Sequence, residues 1–233
     1  MKYSIYDPII CRSGTQYSVA GRQRVIPTDL AFLNEPKTRL MKRHVLETMC
    51  FMLKYVDQLL RENNIDYVIS HGTLLGAVRH RGLIPWDDDM DLMIINSEDM
   101  QLIPNFKNRL ERDGFALHKV NDYYKLSHKS LFMGYPYLDI YNGPGRNAME
   151  DIYPIQRMPF EYFELSVPFQ AVKVVENLYG NSPSALTHVV HDRVFSHRVT
   201  WLMLRLFGET IYNIAHIFSD FFKKTFKLEK CNP

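Results

Sequence analysis

His71-Gly72-Thr73-Leu74-Leu75-Gly76-Ala77-Val78-Arg79-His80-Arg81-Gly82-Leu83-Ile84-Pro85-Trp86-Asp87-Asp88-Asp89-Met90-Asp91-Leu92 is the stretch on which the reading of this chain turns. It joins a Gly-Thr turn to a short helical pattern from Leu74 to about His80, stopped by Gly82, and then to a strand opened by Pro85. That strand carries four carboxylates in five residues. Strand side chains alternate faces, so Asp87, Asp89 and Asp91 point one way and Asp88 the other. Three acids on one face, roughly 6–7 Å from one to the next by the strand rise, repel unless a cation lies between them. Mg²⁺ (or Mn²⁺) fits this arrangement, because it takes a few carboxylate oxygens and shares its remaining positions with water and phosphates.

Two simpler readings of the acids fail. A solvated charge run does not pass directly into an apolar segment such as Leu92-Met93-Ile94-Ile95. An EF-hand loop would place Asp87, Asp89, Asp91 and Glu98 at positions 1, 3, 5 and 12, but position 6, where the turn requires glycine, is Leu92. A phosphoryl- or nucleotidyl-transfer site also accounts for Gly72 and Thr73. A small pair between strand and helix lets backbone N–H groups approach a phosphate at a helix N-terminus. A further acid is expected from a later strand, and Asp139, between Leu138 and Ile140, lies inside an apolar one.

Outward from this stretch, residues 1–35 mix Gly, Pro, Ser and Arg without period and read as an extended arm over the surface or as partly disordered. Leu40, Val45, Met49, Met52, Val56, Leu59 and Leu60 keep helical spacing, predicting a helix from Pro36 to Asn63-Asn64. Tyr67-Val68-Ile69 reads as a strand. Ser97 is expected to cap a helix that bends near Pro104 and ends at Asp113-Gly114. Phe115 to Val120 and Tyr123 to His128 flank an Asn121-Asp122 turn. Tyr137 to Tyr141 predicts another strand, Ile155 to Val167 a hairpin, and Phe169 to Tyr179 a helix. The tail from about Ala185 to Leu228 reads as mostly helical. The fold class that follows is α/β (α+β), a small mixed sheet flanked by helices. Its divisions are an arm over 1–35, a catalytic domain over 36–183 and a helical extension over 184–233.

Composition narrows the function classes. The chain has 233 residues, 46% hydrophobic and 23% charged, and a net charge of +2 from 28 basic and 26 acidic residues. That balance gives no bulk argument for nucleic acid or an anionic membrane, and no nucleic-acid partner is expected. Three scattered cysteines, Cys11, Cys50 and Cys231, make neither a disulfide framework nor a zinc site. With no signal-peptide pattern at the start and no long uncharged apolar run, a cytoplasmic location is expected. His188, His191 and Asp192 share helical spacing, but without a cysteine they read as surface side chains rather than zinc ligands. Phe and Ile stripes with Arg205, Lys223, Lys224, Lys227 and Lys230 suit either packing on the domain, the preferred reading, or peripheral membrane contact through the C-terminal helix.

The segment G-T-L-L-G-A-V-R-H-R-G-L-I-P-W-D-D-D-M-D-L resembles the signature of the LicD family, which includes the fukutin and fukutin-related proteins. Leu138-Asp139-Ile140-Tyr141 is similar to that family's second acidic strand. Ile152-Tyr153-Pro154-Ile155 through Phe160, Val167-Pro168 and Leu178-Tyr179-Gly180-Asn181 are similar to its C-terminal block. The resemblance covers roughly Pro36 to Pro183. It implies a nucleotidyltransferase fold that moves a phosphorylated alcohol (phosphocholine, ribitol phosphate or glycerol phosphate) from a CDP-linked donor to a glycan or glycolipid hydroxyl. By matching positions, Asp89 and Asp91 would be the metal pair, Asp87 a further ligand or supporting acid, and Asp139 a metal ligand or the base for the incoming hydroxyl. The rival enzyme would move the nucleotide itself, and the rival from another class is a pseudoenzyme that binds nucleotide or glycan without turnover.

Arg79, His80 and Arg81 follow the short helix and are phosphate-binding candidates alongside Gly72 and Thr73. Arginine suits bidentate phosphate contact, although a basic helix end also complements its own dipole. Lys125, on the strand before Asp139, is a second phosphate candidate. Trp86 can stack on a base but reads more readily as core, and Asp88 is expected to anchor a neighbouring loop.

Overall fold

Val45, Leu46, Met49, Cys50, Met52, Leu53, Val56, Leu59 and Leu60 form one buried stripe along a 20-residue helix, α1 (Arg43–Glu62). Apolar residues at these intervals bury one face of a helix and leave the other to solvent. The C-terminal stop is the expected one: Asn63 caps the helix, and its Nδ2 donates to the Leu59 carbonyl at 2.7 Å. The start is not. Arg39–Met41 is a strand, so the helix begins at Arg43 rather than Pro36.

The computed structural model describes residues 6–10, 14–26, 39–131, 136–145 and 147–179. Pro36, the C-terminal tail with its basic and aromatic stripes, and the His188, His191 and Asp192 group lie outside the described residues.

The described elements follow in chain order. Strands β1 (Tyr6–Ile10), β2 (Gln16–Val19), β3 (Arg22–Val25) and β4 (Arg39–Met41) precede α1. After it come β5 (Tyr67–Ile69), α2 (His71–His80), β6 (Met90–Ile94), α3 (Ser97–Met100), α4 (Lys107–Arg112), β7 (Phe115–Val120), β8 (Tyr123–His128) and β9 (Leu138–Asn142). Helix α5 (Met149–Ile152), strands β10 (Gln156–Phe160) and β11 (Phe163–Val167), and α6 (Ala171–Tyr179) complete them.

The central sheet has the order β5-β6-β9-β8-β7, and only the β6–β9 pair within it is parallel. This is the expected small mixed sheet between helices. Asn121-Asp122 makes the two-residue turn between β7 and β8, with Val120 opposite Tyr123 and Asn121 at φ +53°, a conformation that asparagine tolerates well.

Three local expectations need correction. The first concerns residues 1–35, of which part is more than a surface arm: β2 and β3 form a hairpin, and Tyr17, Val19 and Ile26 are buried in the main core. The second concerns the helix after β6, which does not run unbroken to Gly114. It divides into α3, a 3-10 turn at Ile103–Phe106 and α4, because Pro104 cannot donate a helical N–H. Its N-cap is Asn96, whose side chain accepts from the Glu98 N–H, rather than Ser97.

The third is the acidic segment itself, where the strand starts only at Met90. Asp87 N–H donates to the Ile84 carbonyl and Asp88 N–H to Asp87 Oδ1, curling residues 84–88 into a turn. The alternation of a strand therefore does not apply to Asp87, Asp88 and Asp89.

One buried acid ties this turn to the rest of the fold. Glu161, between β10 and β11, accepts from the Leu83 N–H at 3.1 Å and from Arg24 Nε at 3.2 Å, while its own N–H donates to the Arg81 carbonyl. A Cβ on Gly82 would overlap its carboxylate, so the glycine's role here is close approach. The left-handed residue ending α2 is instead Arg81, at φ +54°. The β2–β3 hairpin, the end of α2 and the β10–β11 turn meet at this one carboxylate.

Candidate active site

Asp91 on β6 and Asp139 on β9 are register partners on the sheet's parallel pair, and Asp139 is in turn opposite Lys125 on β8. Register partners share a face, so Asp91, Asp139 and Lys125 form a row across three strands. All three are buried. Lys125 Nζ lies 2.7 and 2.9 Å from the two oxygens of Asp139 and 3.4 Å from the Tyr137 ring centroid. The Tyr141 hydroxyl donates to Asp139 Oδ2 at 3.3 Å, and its ring stacks on Tyr123.

The turn before β6 supplies the other acids. One carboxylate oxygen from each of Asp87, Asp88 and Asp89 lies within 4.8 Å of the others. Asp88, expected to face away, therefore belongs to the acidic group. The curl of the backbone, absent from a strand, brings it there. Asp89 joins the two sets electrostatically, since its charge acts on Asp87, Asp91 and Asp139 alike.

The electrostatics follow from burial and like charge. Asp87 is pushed well above the usual carboxylate range by burial and then by Asp89 and Asp88. Asp91 is pushed up by burial, Asp89 and Asp139. Burial also raises Asp139, but Lys125 opposes it and leaves the carboxyl at about 6. Crowded acids with one buried lysine hold surplus negative charge, which a divalent cation would neutralise. The donor set is all oxygen, as Mg²⁺ or Mn²⁺ prefers.

Helix α2 lies over these acids. Ser70 N–H donates to the Asp91 carbonyl at 3.1 Å, and the Asp91 N–H donates to Thr73 Oγ1 at 2.8 Å. Thr73 is thus buried, with its hydroxyl engaged on β6. Gly72 has the small size the sequence reading required, but its neighbour is a carboxylate: a Cβ there would overlap Asp87 Oδ2. Asp87 rests on the first turn of α2, where the helix dipole favours negative charge.

The phosphate candidates separate. Lys125 is committed to Asp139 and does not stand apart as an anion ligand. His80 is buried and lowered to about 3 by burial and by Arg79, so it stays neutral at ordinary pH. Its Nδ1 accepts from Arg79 Nε at 3.2 Å, and its ring meets the buried Trp86 edge-on. Arg79, half-buried, also lies over the Trp86 ring, and its charge acts on Asp87. Arg81 is exposed, and its carbonyl accepts from Arg24. Of these four, Arg79 is the cation whose charge acts on Asp87.

Sequence reasoning missed an aromatic rim. His71, at φ +42° at the start of α2, has its ring 5.4 Å from that of Tyr141. Tyr179, at the end of α6, is raised by burial and by Asp91, Asp87 and Asp89, whose charges reach it. Spacing could have found Tyr141 and Tyr123, each two residues from a site residue on its own strand. Only the family resemblance touches Tyr179, through Leu178-Tyr179-Gly180-Asn181 and without a role, and the residue arrives through the packing of α6 on α2.

Residues 64–170 match the family described as LicD/FKTN/FKRP, nucleotidyltransferase domain. An uncharacterised protein of Rickettsia typhi is 34% identical over 146 residues, covering 55% of this chain and 44% of that protein. A second, from Rickettsia prowazekii, is 30% identical over 146 residues, 55% of this chain and 52% of its own length. The lipopolysaccharide cholinephosphotransferase LicD of Haemophilus influenzae is 40% identical over 52 residues, 22% of this chain and 20% of that enzyme. The chain thus spans about half, or less, of the curated relatives it matches. Among solved structures, ANT(2")-Ia in complex with adenylyl-2"-tobramycin aligns at a TM-score of 0.42 and 13% identity over 72% of this chain and 96% of that one. A nucleotidyltransferase-like protein from Paracoccidioides brasiliensis aligns at 0.36 and 11% identity, over 71% and 91%.

Proposed function

We propose that this chain, a LicD/FKTN/FKRP nucleotidyltransferase domain over residues 64–170, moves a phosphorylated alcohol from a CDP-linked donor to a glycan or glycolipid hydroxyl. The observation that supports this most is the row of Asp91 and Asp139 on parallel neighbouring strands, with Asp87, Asp88 and Asp89 gathered beside it. In this reading Asp89 and Asp91 would hold Mg²⁺ or Mn²⁺, with Asp87 at their edge, and Asp139 is kept as the base. Bound there, the cation supplies Lewis-acid neutralisation of the donor's diphosphate.

The chain's own groups do the rest. Asp139 is in its proton-accepting form at neutral pH and takes the proton of the acceptor hydroxyl. The acceptor oxygen then bonds to the phosphorus that carries the alcohol, the bond from that phosphorus to CMP breaks, and CMP leaves with the bonding electrons. Lys125 holds Asp139 in place through both its oxygens. Arg79 draws the donor phosphates toward the acids.

Incubation with Mg²⁺ and CDP-choline, CDP-ribitol or CDP-glycerol tests the reading, with CMP release as the measurement. Release from one donor that depends on an acceptor glycan is the expected result; no release from any of them defeats it. The family description also favours a second reading, transfer of the nucleotide itself. Label from the nucleobase retained on the acceptor would establish that alternative.

The crowding of the acids gives a pH-dependent expectation. Carboxyls raised in the fold cost stability as pH climbs through their raised values, about 6 for Asp139, with Asp91 and Asp87 likewise held well above the usual carboxylate range. Mg²⁺ should therefore raise Tm more at pH 8 than at pH 5; an equal shift at both would count against the acids as its site. Gly72→Ala forces the Asp87 carboxylate aside, a displacement that flexible side-chain atoms absorb at little structural expense. Calorimetry should find Mg²⁺ bound about tenfold more weakly, the low end of what losing a supporting contact costs a metal site, with Tm little changed.

A further inference from the structure

The acidic turn is fastened from outside the stretch that matches the family. Residues 64–170 make that match, and β3 and β4 precede them. Both strands nevertheless reach the segment between α2 and β6. On β4, the Met41 N–H donates to the Pro85 carbonyl at 2.8 Å. From β3, Arg24 works through Glu161. Glu161 Oε1 accepts from the Leu83 N–H at 3.1 Å, and Oε2 accepts from Arg24 Nε at 3.2 Å. Arg24 Nη2 also donates to the Glu161 carbonyl at 3.2 Å and to the Arg81 carbonyl at 3.4 Å. Arg22 Nη1 adds a bond to the Glu161 carbonyl at 3.0 Å. One guanidinium thus spans the end of α2 and the turn between β10 and β11.

This brace holds backbone in a shape that side chains disfavour. Arg81 and Glu161 are both left-handed, at φ +54° and +50°, a conformation that persists in non-glycine residues where neighbours fix it. The Glu161 N–H ties the two together through the Arg81 carbonyl at 2.8 Å. Beyond Leu83 the chain has little slack. The Ile84 carbonyl accepts from the Asp87 N–H at 3.0 Å, and Trp86 between them is buried. A shift at Leu83 is therefore passed to Asp87 and on to Asp88 and Asp89. The Glu161 side chain is 1% exposed, and an acid so enclosed depends on its cation. Burial raises its carboxyl, and Arg24 pulls it back.

We propose that Arg24 and Glu161 are positioning residues for the turn holding Asp87, Asp88 and Asp89, so that the β2–β3 hairpin is a working part of the active site. This rests on the divalent-cation reading of the acids and deepens it. Arg24 and Glu161 act through the backbone of residues 81–87 rather than by contact with the acids. A small divalent cation tolerates little departure from its preferred geometry, so the acids must be held where their oxygens converge.

Hydrogen exchange without metal, and calorimetry with Mg²⁺, both on the full chain, test the assignment. Arg24→Ala removes the brace at a residue that is partly exposed. It should speed exchange over residues 82–89 and weaken Mg²⁺ about tenfold, as the loss of an outer partner does at a metal site. Glu161→Gln keeps an oxygen for the Leu83 N–H, so it should bind Mg²⁺ more tightly than Glu161→Ala. Asp57→Ala cuts a buried ionic network on α1 instead, and should lower Tm yet keep the wild-type Mg²⁺ affinity. Unchanged exchange over residues 82–89 in Arg24→Ala overturns the proposal, and so does faster exchange there with Mg²⁺ bound as in wild type. Equal weakening of Mg²⁺ by Asp57→Ala also overturns it, because the loss would then come from general loosening of the fold. If wild type binds no Mg²⁺, the cation reading falls, while faster exchange over residues 82–89 in Arg24→Ala still upholds the positioning of the turn.

Discussion

Asp91→Asn is expected to lower kcat about a thousandfold and, at pH 8, to leave Tm unchanged or higher. The substitution keeps shape and removes one negative charge from a residue that is buried, in register with Asp139 and close to Asp89. Loss of a group that fixes transition-state charge costs about 3–4 kcal/mol, which at about 1.4 kcal/mol per decade is two to three powers of ten in rate. Weaker cation binding adds to this.

Stability should move the other way. Burial and neighbouring carboxylates raise Asp91 above its ordinary range, so its charged form costs the fold stability at high pH. Asparagine removes that cost. A merely structural aspartate would show the reverse, with lost Tm and retained turnover. Steady-state kinetics beside a thermal melt at pH 8 checks both, and turnover within threefold of wild type would remove Asp91 from the mechanism.

Asp57→Ala should lower stability by about 2–3 kcal/mol, or roughly 5–10 °C in Tm for a chain this size. Asp57, on α1, is buried far from the acids in sequence and role. It accepts from Tyr67 on β5 at 2.5 Å, from Arg157 on β10 at 2.5 and 3.2 Å, and from Arg61 one helical turn later at 3.0 Å. Removing it leaves the buried Tyr67 hydroxyl and a half-buried guanidinium without that acceptor. Breaking a fully buried pair costs about 3–5 kcal/mol, and the lower figure here reflects the partial exposure of both arginines.

The pH dependence gives a further check. Burial alone would raise the Asp57 carboxyl, but Arg157, Arg61 and Tyr67 hold it below the usual range. A depressed carboxyl contributes fully above the unfolded value of about 3.9 and loses that contribution as pH falls through its lowered folded value. The stability gap between wild type and Asp57→Ala should therefore be widest near neutrality and narrow in acid. A constant gap down to pH 3 would mean that packing, not the ionic network, supplies the difference.

Much of the architecture was legible in the chain itself. The stripe from Val45 to Leu60, the Asn121-Asp122 turn and the hairpin from Gln156 to Val167 are local patterns, because burial on one face repeats at the helical or strand period and turn residues interrupt it. Asp139 stood out for the same reason, as an acid in an apolar strand. The family signature over the acidic segment pointed to the same domain, and residues 64–170 match it.

Other features depend on partners distant in sequence, which no local period encodes. The turn holding Asp87, Asp88 and Asp89 forms where a strand was expected, and Glu161, over seventy residues later, holds its approach. Lys125 reads as a free cation until β8 pairs with β9 and brings Asp139 to its ammonium. Tyr179 comes within reach of the acids' charge only because α6 returns to pack on α2. The sequence by itself determined which segments become helix, strand and acidic loop, through side-chain chemistry acting over a few residues. Only the tertiary structure decided which charges face one another, because that depends on strand order and register, set by burying the whole sheet at once.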